Sequence, residues 1–164
     1  MTGSDSDQAD RGRAAVAAVE EAAFGGTDAD EPLDREILHD RIAGVVNGPW
    51  WQQCGPDVTV TTPRRSTRSS TARFRGPEPV EVRLADGQLT LATVGHELAH
   101  ALAGVDDGHG ETFRAAHVDV VDLLCGAGAA AALGDAYRAF HLTVADRQWP
   151  APWRADGESF RILT

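Results

Sequence analysis

The spacing of hydrophobic positions changes along the chain and divides its first half into predicted elements. An alanine-rich run from residue 11 to residue 24 favours a helix, which Gly25-Gly26 ends. A second helix is predicted from about residue 32 until the Asn-Gly-Pro that begins at residue 47. The period then falls to two in "DVTVTT", "STARF" and "PVEVRLADGQ", and alternation of this kind predicts strands.

Helical periods return in the second half of the chain. Three helices are predicted, at about 89–103, 111–125 and 129–141, with Gly104 and Gly126 ending the first two. Helices that flank a small sheet of sequential strands predict an α+β fold, with N-terminal helices and a mainly antiparallel sheet.

The two ends of the chain lack this periodicity. Residues 1–9 form a short polar stretch that we expect to be a disordered tail, whereas residues 10–147 form the predicted domain. Residues 148–164 contain two prolines and no clear period, and they predict a C-terminal tail.

Composition favours a cytoplasmic protein without a membrane segment. No apolar run approaches the roughly 20 residues that a transmembrane helix needs, and the polar, acidic start is unlike a secretory signal. The two cysteines, Cys54 and Cys125, belong to no CxxC pair, which predicts reduced thiols and excludes a zinc ribbon.

Charge is distributed unevenly along the chain. The formal net charge is −10, which disfavours non-specific binding to nucleic acid. A basic stretch nevertheless offers weak nucleic-acid contact, and the alternative is a solvated, arginine-rich hairpin or loop. Its candidate residues are Arg64, Arg65, Arg68, Arg73 and Arg75.

The sequence "HELAH" carries the candidate chemistry. His96 and His100 lie four positions apart, so on a helix both imidazoles point to one face and can bind one metal ion. On a helical wheel they lie opposite the apolar stripe that starts with Leu91 and Val94. Glu97 lies off that stripe, directed away from ligation but within reach of a water at the metal. This HExxH spacing predicts a zinc site in which the glutamate takes a proton from water.

A catalytic zinc site needs a third protein ligand and an open fourth position. His109 is the main candidate, because Gly104 ends the helix and a short "VDDG" turn brings the chain back before the next helix. Asp106 or Asp107 is the alternative third ligand. A closed site with four protein ligands would instead indicate a structural metal.

Three further side chains on the last two helices have two interpretations each. His117 lies on an apolar stripe and is either a hydrogen-bonded core residue or a residue that orients a ligand imidazole. Tyr137 and His141 either pack or donate a hydrogen bond to an oxyanion.

The block "HELAHALAG…HGETF" resembles the SprT-like zinc metallopeptidases and, more closely, a family of small actinobacterial HExxH-containing metallohydrolases. The motif positions are His96, Glu97, His100, His109, Gly110 and Phe113. The resemblance implies a single zincin-like (SprT-like) domain, three histidine ligands and Glu97 as general base. Glu111 and Thr112 stand where SprT-like proteins commonly have Pro-Glu.

We therefore expect a Zn²⁺-dependent hydrolase, a metallopeptidase that acts on a peptide or protein substrate. The sheet edge near Val80–Leu84 is expected to bind the substrate as an added strand. The alternative is a DNA- or partner-binding module in which the metal only stabilises the fold.

Overall fold

The computed structural model describes residues 3–61, 70–73, 79–104, 108–147, 149 and 160–163. Side chains are described within 12–61, 70–72, 79–104 and 108–147 and at residue 149. These ranges contain, in chain order, α1 (Gly3–Phe24), α2 (Arg35–Val46), α3 (Pro49–Cys54), β1 (Val58–Thr61), β2 (Thr71–Arg73), β3 (Val80–Arg83), α4 (Leu91–Ala103), α5 (Glu111–Cys125), α6 (Ala127–Ala139) and β4 (Phe160–Leu163). The predicted α+β class is confirmed.

The four strands form one sheet in the order β2-β3-β1-β4. The β1 strand pairs in parallel with β3 and with β4, and only β2 and β3 pair antiparallel. The prediction of a mainly antiparallel sheet is therefore wrong. It assumed that sequential strands pair with each other, whereas the chain places β2 outside β3, and long crossovers then allow parallel pairing.

This order also changes which strand forms the edge of the sheet. The β3 strand lies between β2 and β1, so the predicted substrate-binding edge near Val80–Leu84 is an internal strand. In the described part of the chain the edge strands are β2 and β4. Val58, Thr59 and Val60 of β1 are all buried, as expected for a central strand that is covered on both faces.

Both predicted tails differ from the structure. Helix α1 begins at Gly3, so residues 3–9 continue the helix instead of forming a disordered tail. Extending an existing helix costs little once it is nucleated. At the other end, Phe160–Leu163 pairs with β1, so part of the predicted 148–164 tail belongs to the domain.

The predicted active-site helix is α4, and its burial follows the apolar stripe. Leu91, Val94, Leu98 and Leu102 are buried. Thr90 caps the helix, because its Oγ1 accepts a hydrogen bond of 3.1 Å from the Thr93 backbone N–H. None of the helices in the described ranges is both long enough and apolar enough to cross a bilayer.

Helix α4 packs closely on α5. A Cβ atom added at Gly95 would lie 3.2 Å from Val121 Cγ2, so the missing side chain lets the two helices approach. This contact sets the orientation of α4 on α5, and with it the direction in which the two motif histidines face. Helix α5 spans the predicted residues 111–125, between Gly110 and Gly126.

Candidate metal centre

Three histidine nitrogens converge on one point between α4 and the start of α5. The Nε2 atoms of His96, His100 and His109 form a triangle with sides of 3.1, 3.2 and 3.3 Å. Nitrogen ligands at about 2.0–2.1 Å from a tetrahedral zinc ion lie about 3.3–3.4 Å apart. The spacing therefore fits three corners of a tetrahedral metal site. Among the described residues, no other group of three or more histidine, cysteine or acidic side chains lies close enough together to hold a metal ion.

The loop after α4 brings His109 to the other two histidines. Gly104 and Gly108 adopt positive φ angles of 104° and 62°, which side chains with a Cβ rarely accept. Arg114 then holds the returning chain, because its Nη1 donates to the His109 carbonyl oxygen at 3.2 Å. The alternative ligands Asp106 and Asp107 lie outside the described residues.

An apolar ring supports all three imidazoles. The Phe113 side chain is fully buried, and its ring centroid lies 5.0, 4.4 and 4.9 Å from those of His96, His100 and His109, respectively. Rings packed at these distances restrict one another's rotation. Phe113 therefore forms a rigid floor that limits the orientations open to the three imidazoles.

Glu97 lies beside the triangle in a buried position. The side chain lines the same cleft as the three histidines, and its Oε2 atom has no hydrogen-bond partner among the described residues. Burial raises the pKa of Glu97 to about 7, although the charge of His96 and a hydrogen bond from the Ala72 backbone oppose the shift. On the helical wheel Glu97 lies off the apolar stripe, and in the structure β2 packs on this side of α4.

The imidazoles of His100 and His109 are neutral. Burial, together with the proximity of His96, lowers the pKa of His100 to about 3, and the same causes lower that of His109 to about 4. At neutral pH each ring therefore carries one proton and keeps one nitrogen lone pair, the form that binds metals.

Sequence reasoning missed one acidic residue of the site, Glu20 of α1. Its Oε1 atom lies 2.7 Å from His96 Nδ1, the ring nitrogen that faces away from the triangle. This contact raises the pKa of His96 even though burial alone would lower it. The sequence did contain a signal, because Glu20 follows the buried Val16 by four positions and precedes the buried Phe24 by four. A carboxylate on a core-facing stripe needs a buried partner.

His117 is a hydrogen-bonded core residue, as one of its two interpretations predicts, and it also lies close to the histidine triangle. The side chain is fully buried, and its Nδ1 atom lies 2.7 Å from the Tyr137 hydroxyl oxygen. Its ring centroid lies 5.8 Å from that of His96, and its Nε2 lies 3.5 Å from Glu20 Oε1. Tyr137 is buried behind His117 and does not line the cleft, and His141 is exposed. Neither residue is positioned to stabilise an oxyanion in this structure.

The triangle opens into a cleft of about 710 Å³. Its walls come from α1, the segment that carries β2, the first half of α4 and the loop before α5. Residues that face it include Arg13, Glu21, Asp30 and Thr71. A volume of this size is typical of a ligand-binding cleft.

No protein-family model, curated protein or solved structure matches this chain. The resemblance to SprT-like proteins therefore stays a prediction supported by the motif residues. The side chains of the five arginines proposed for nucleic-acid contact lie outside the described residues.

Proposed function

We propose that this protein is a zinc-dependent hydrolase, specifically a metallopeptidase of the SprT-like type. The observation that carries the proposal is the triangle of three Nε2 atoms with a buried glutamate beside it, at the base of an open cleft. In this function His96, His100 and His109 hold the ion, and Glu97 acts as general base.

The donor set favours zinc in a catalytic site. Three imidazole ligands suit a borderline-soft divalent ion, and three protein ligands leave a fourth tetrahedral corner for solvent or substrate. When bound, such an ion polarises a substrate carbonyl and makes water acidic enough to lose a proton near neutral pH.

Glu97 supplies the proton-transfer step. Its Oε2 atom, which has no partner among the described residues, can accept a proton from the attacking water. The same carboxyl group can then donate that proton to the departing amine.

The edge of the sheet supports a peptide as substrate. Within the described ranges β2 pairs only with β3, and Ser70, Thr71 and Ala72 line the cleft. An extended peptide can add to such an edge through backbone hydrogen bonds, which would lay its carbonyl groups along the cleft. This edge replaces the internal β3 strand as the proposed substrate-binding edge.

Two related predictions depend on less direct support. A cytoplasmic location agrees with Cys54 and Cys125, neither of which forms a disulfide within the described residues. The alternative function, a DNA- or partner-binding module with a structural metal, requires a fourth protein ligand. No fourth ligand joins the triangle among the described residues.

Metal removal tests the proposed function. We expect the purified protein to contain about one zinc per chain and to cleave a quenched fluorescent library of mixed-sequence peptides. Dialysis against a chelator should abolish cleavage, and one equivalent of zinc should restore it. A protein that binds no zinc would overturn the metal site, whereas zinc binding without any peptide cleavage would overturn the peptidase assignment.

A further inference from the structure

Four buried or partly buried polar side chains form a continuous series from the protein interior to the metal site. Tyr137 of α6 contacts His117 of α5 at 2.7 Å. His117 approaches Glu20 of α1 at 3.5 Å, and Glu20 contacts His96 of α4 at 2.7 Å. Each member comes from a different helix, so the series joins the site to the packing of all four.

The hydrogen bond at the interior end of the series, between Tyr137 and His117, has a fixed direction. Burial raises the pKa of Tyr137 well above its usual range, so its hydroxyl keeps its proton, which it can donate to His117 Nδ1. Burial also keeps His117 neutral, because it lowers the pKa of that imidazole well below its usual range. A neutral ring that accepts at Nδ1 carries its proton at Nε2.

The opposite tautomer of His117 is unfavourable. With the proton on Nδ1, the Nε2 lone pair would face the Glu20 oxygen at 3.5 Å, and two electron-rich atoms would repel each other in a buried site. With the proton on Nε2, the partly positive N–H instead lies 3.5 Å from the carboxylate oxygen, a favourable electrostatic contact that is not a hydrogen bond. By donating to His117 Nδ1, the Tyr137 hydroxyl thus keeps the His117 proton on Nε2, the atom next to Glu20.

We propose that Glu20 is a positioning residue that holds the proton of His96 on Nδ1, so that the Nε2 lone pair faces His100 and His109. His117, which is hydrogen-bonded to Tyr137, packs beside the carboxylate and supports this arrangement electrostatically. The inference rests on the proposed function, because the purpose of directing this lone pair is to bind the metal ion. Carboxylates that accept from ligand histidines in this way fix the tautomer and orient the ring.

The position of Glu20 suits this role better than that of a ligand. Its Oε1 atom binds the nitrogen of His96 that points away from the triangle, so Glu20 cannot reach the ion through that contact. The Glu20 side chain is only 22% exposed, which limits competition from water for the same hydrogen bond.

The test combines zinc affinity with a direct readout of the tautomer. In Glu20→Gln we expect zinc affinity, measured by competition with a chromophoric chelator, to fall about 10–100-fold. Long-range ¹H–¹⁵N spectra of the full-length, metal-free protein at roughly pH 9, above the histidine range, should show His96 protonated at Nδ1 in the wild type. The variant should show a mixture of both tautomers.

Two further variants make the result specific. Glu36→Gln, an exposed glutamate of α2, should change neither readout. Tyr137→Phe should mix the tautomers of His117 and lower zinc affinity less than Glu20→Gln does. Wild-type affinity and an unchanged His96 tautomer in Glu20→Gln would overturn the inference and leave the proposed function intact. Failure of the wild type to bind zinc would overturn the proposed function, but the tautomer spectra would still test the role of Glu20.

Discussion

Replacing Glu97 with Gln should lower kcat/KM for peptide cleavage by about 10²–10⁴-fold, the range typical of general-base removal. Glutamine keeps the size and shape of the side chain, but its neutral amide cannot take a proton from water near neutral pH. Zinc content should stay at one ion per chain, because Glu97 does not belong to the triangle of ligand nitrogens. Cleavage of the fluorescent peptide library and metal analysis of the same sample measure the two effects.

Glu36→Gln is the matched control, since it removes the same charge from an exposed site on α2. It should retain both cleavage and zinc. If Glu97→Gln kept wild-type activity, the base would have to be another group. If it lost its zinc, Glu97 would be part of the ligand set, and the assignment of three histidine ligands would need revision.

Replacing His109 with Ala should lower zinc affinity by about 10²–10³-fold. Zinc binding to a structural four-ligand site is worth about 10–16 kcal/mol in total, so one ligand contributes a few kcal/mol on average. His109 supplies one corner of the triangle, at 3.1 and 3.3 Å from its two neighbours. Competition with a chromophoric chelator measures the change.

His141→Asn provides the control for removal of a histidine. His141 is exposed and has a positive φ of 56°, a conformation that asparagine tolerates. Its zinc affinity should equal that of the wild type. Unchanged affinity in His109→Ala, together with a loss in the double variant Asp106→Ala/Asp107→Ala, would assign the third ligand to an aspartate and contradict the structure.

Local signals predicted the elements around the site well. The HExxH spacing places His96 and His100 one turn apart, and Gly126 marks the end of α5 as predicted. The return of His109 was predictable because a short loop between two helices leaves the chain few routes. In each case the determining interactions lie within about a dozen residues along the chain.

Features that depend on distant partners were not predicted. Glu20 lies 76 residues before His96, and periodicity alone gives the face of a helix without naming the element that covers it. The parallel pairing of β1 with β3 and β4 has the same cause, because the strand pattern does not specify the neighbour. The short helix α3 was not predicted either, because its six residues are too few to show a helical period.

A crystal structure of the zinc-loaded protein, with anomalous scattering recorded at the zinc edge, would locate the ion and its ligands directly. We expect one zinc peak about 2.0–2.1 Å from the Nε2 atoms of His96, His100 and His109. The fourth corner should hold solvent and face the cleft beside Glu97. A zinc ion that lacks His109 among its ligands, or that has a fourth protein ligand closing the site, would contradict the proposed catalytic centre.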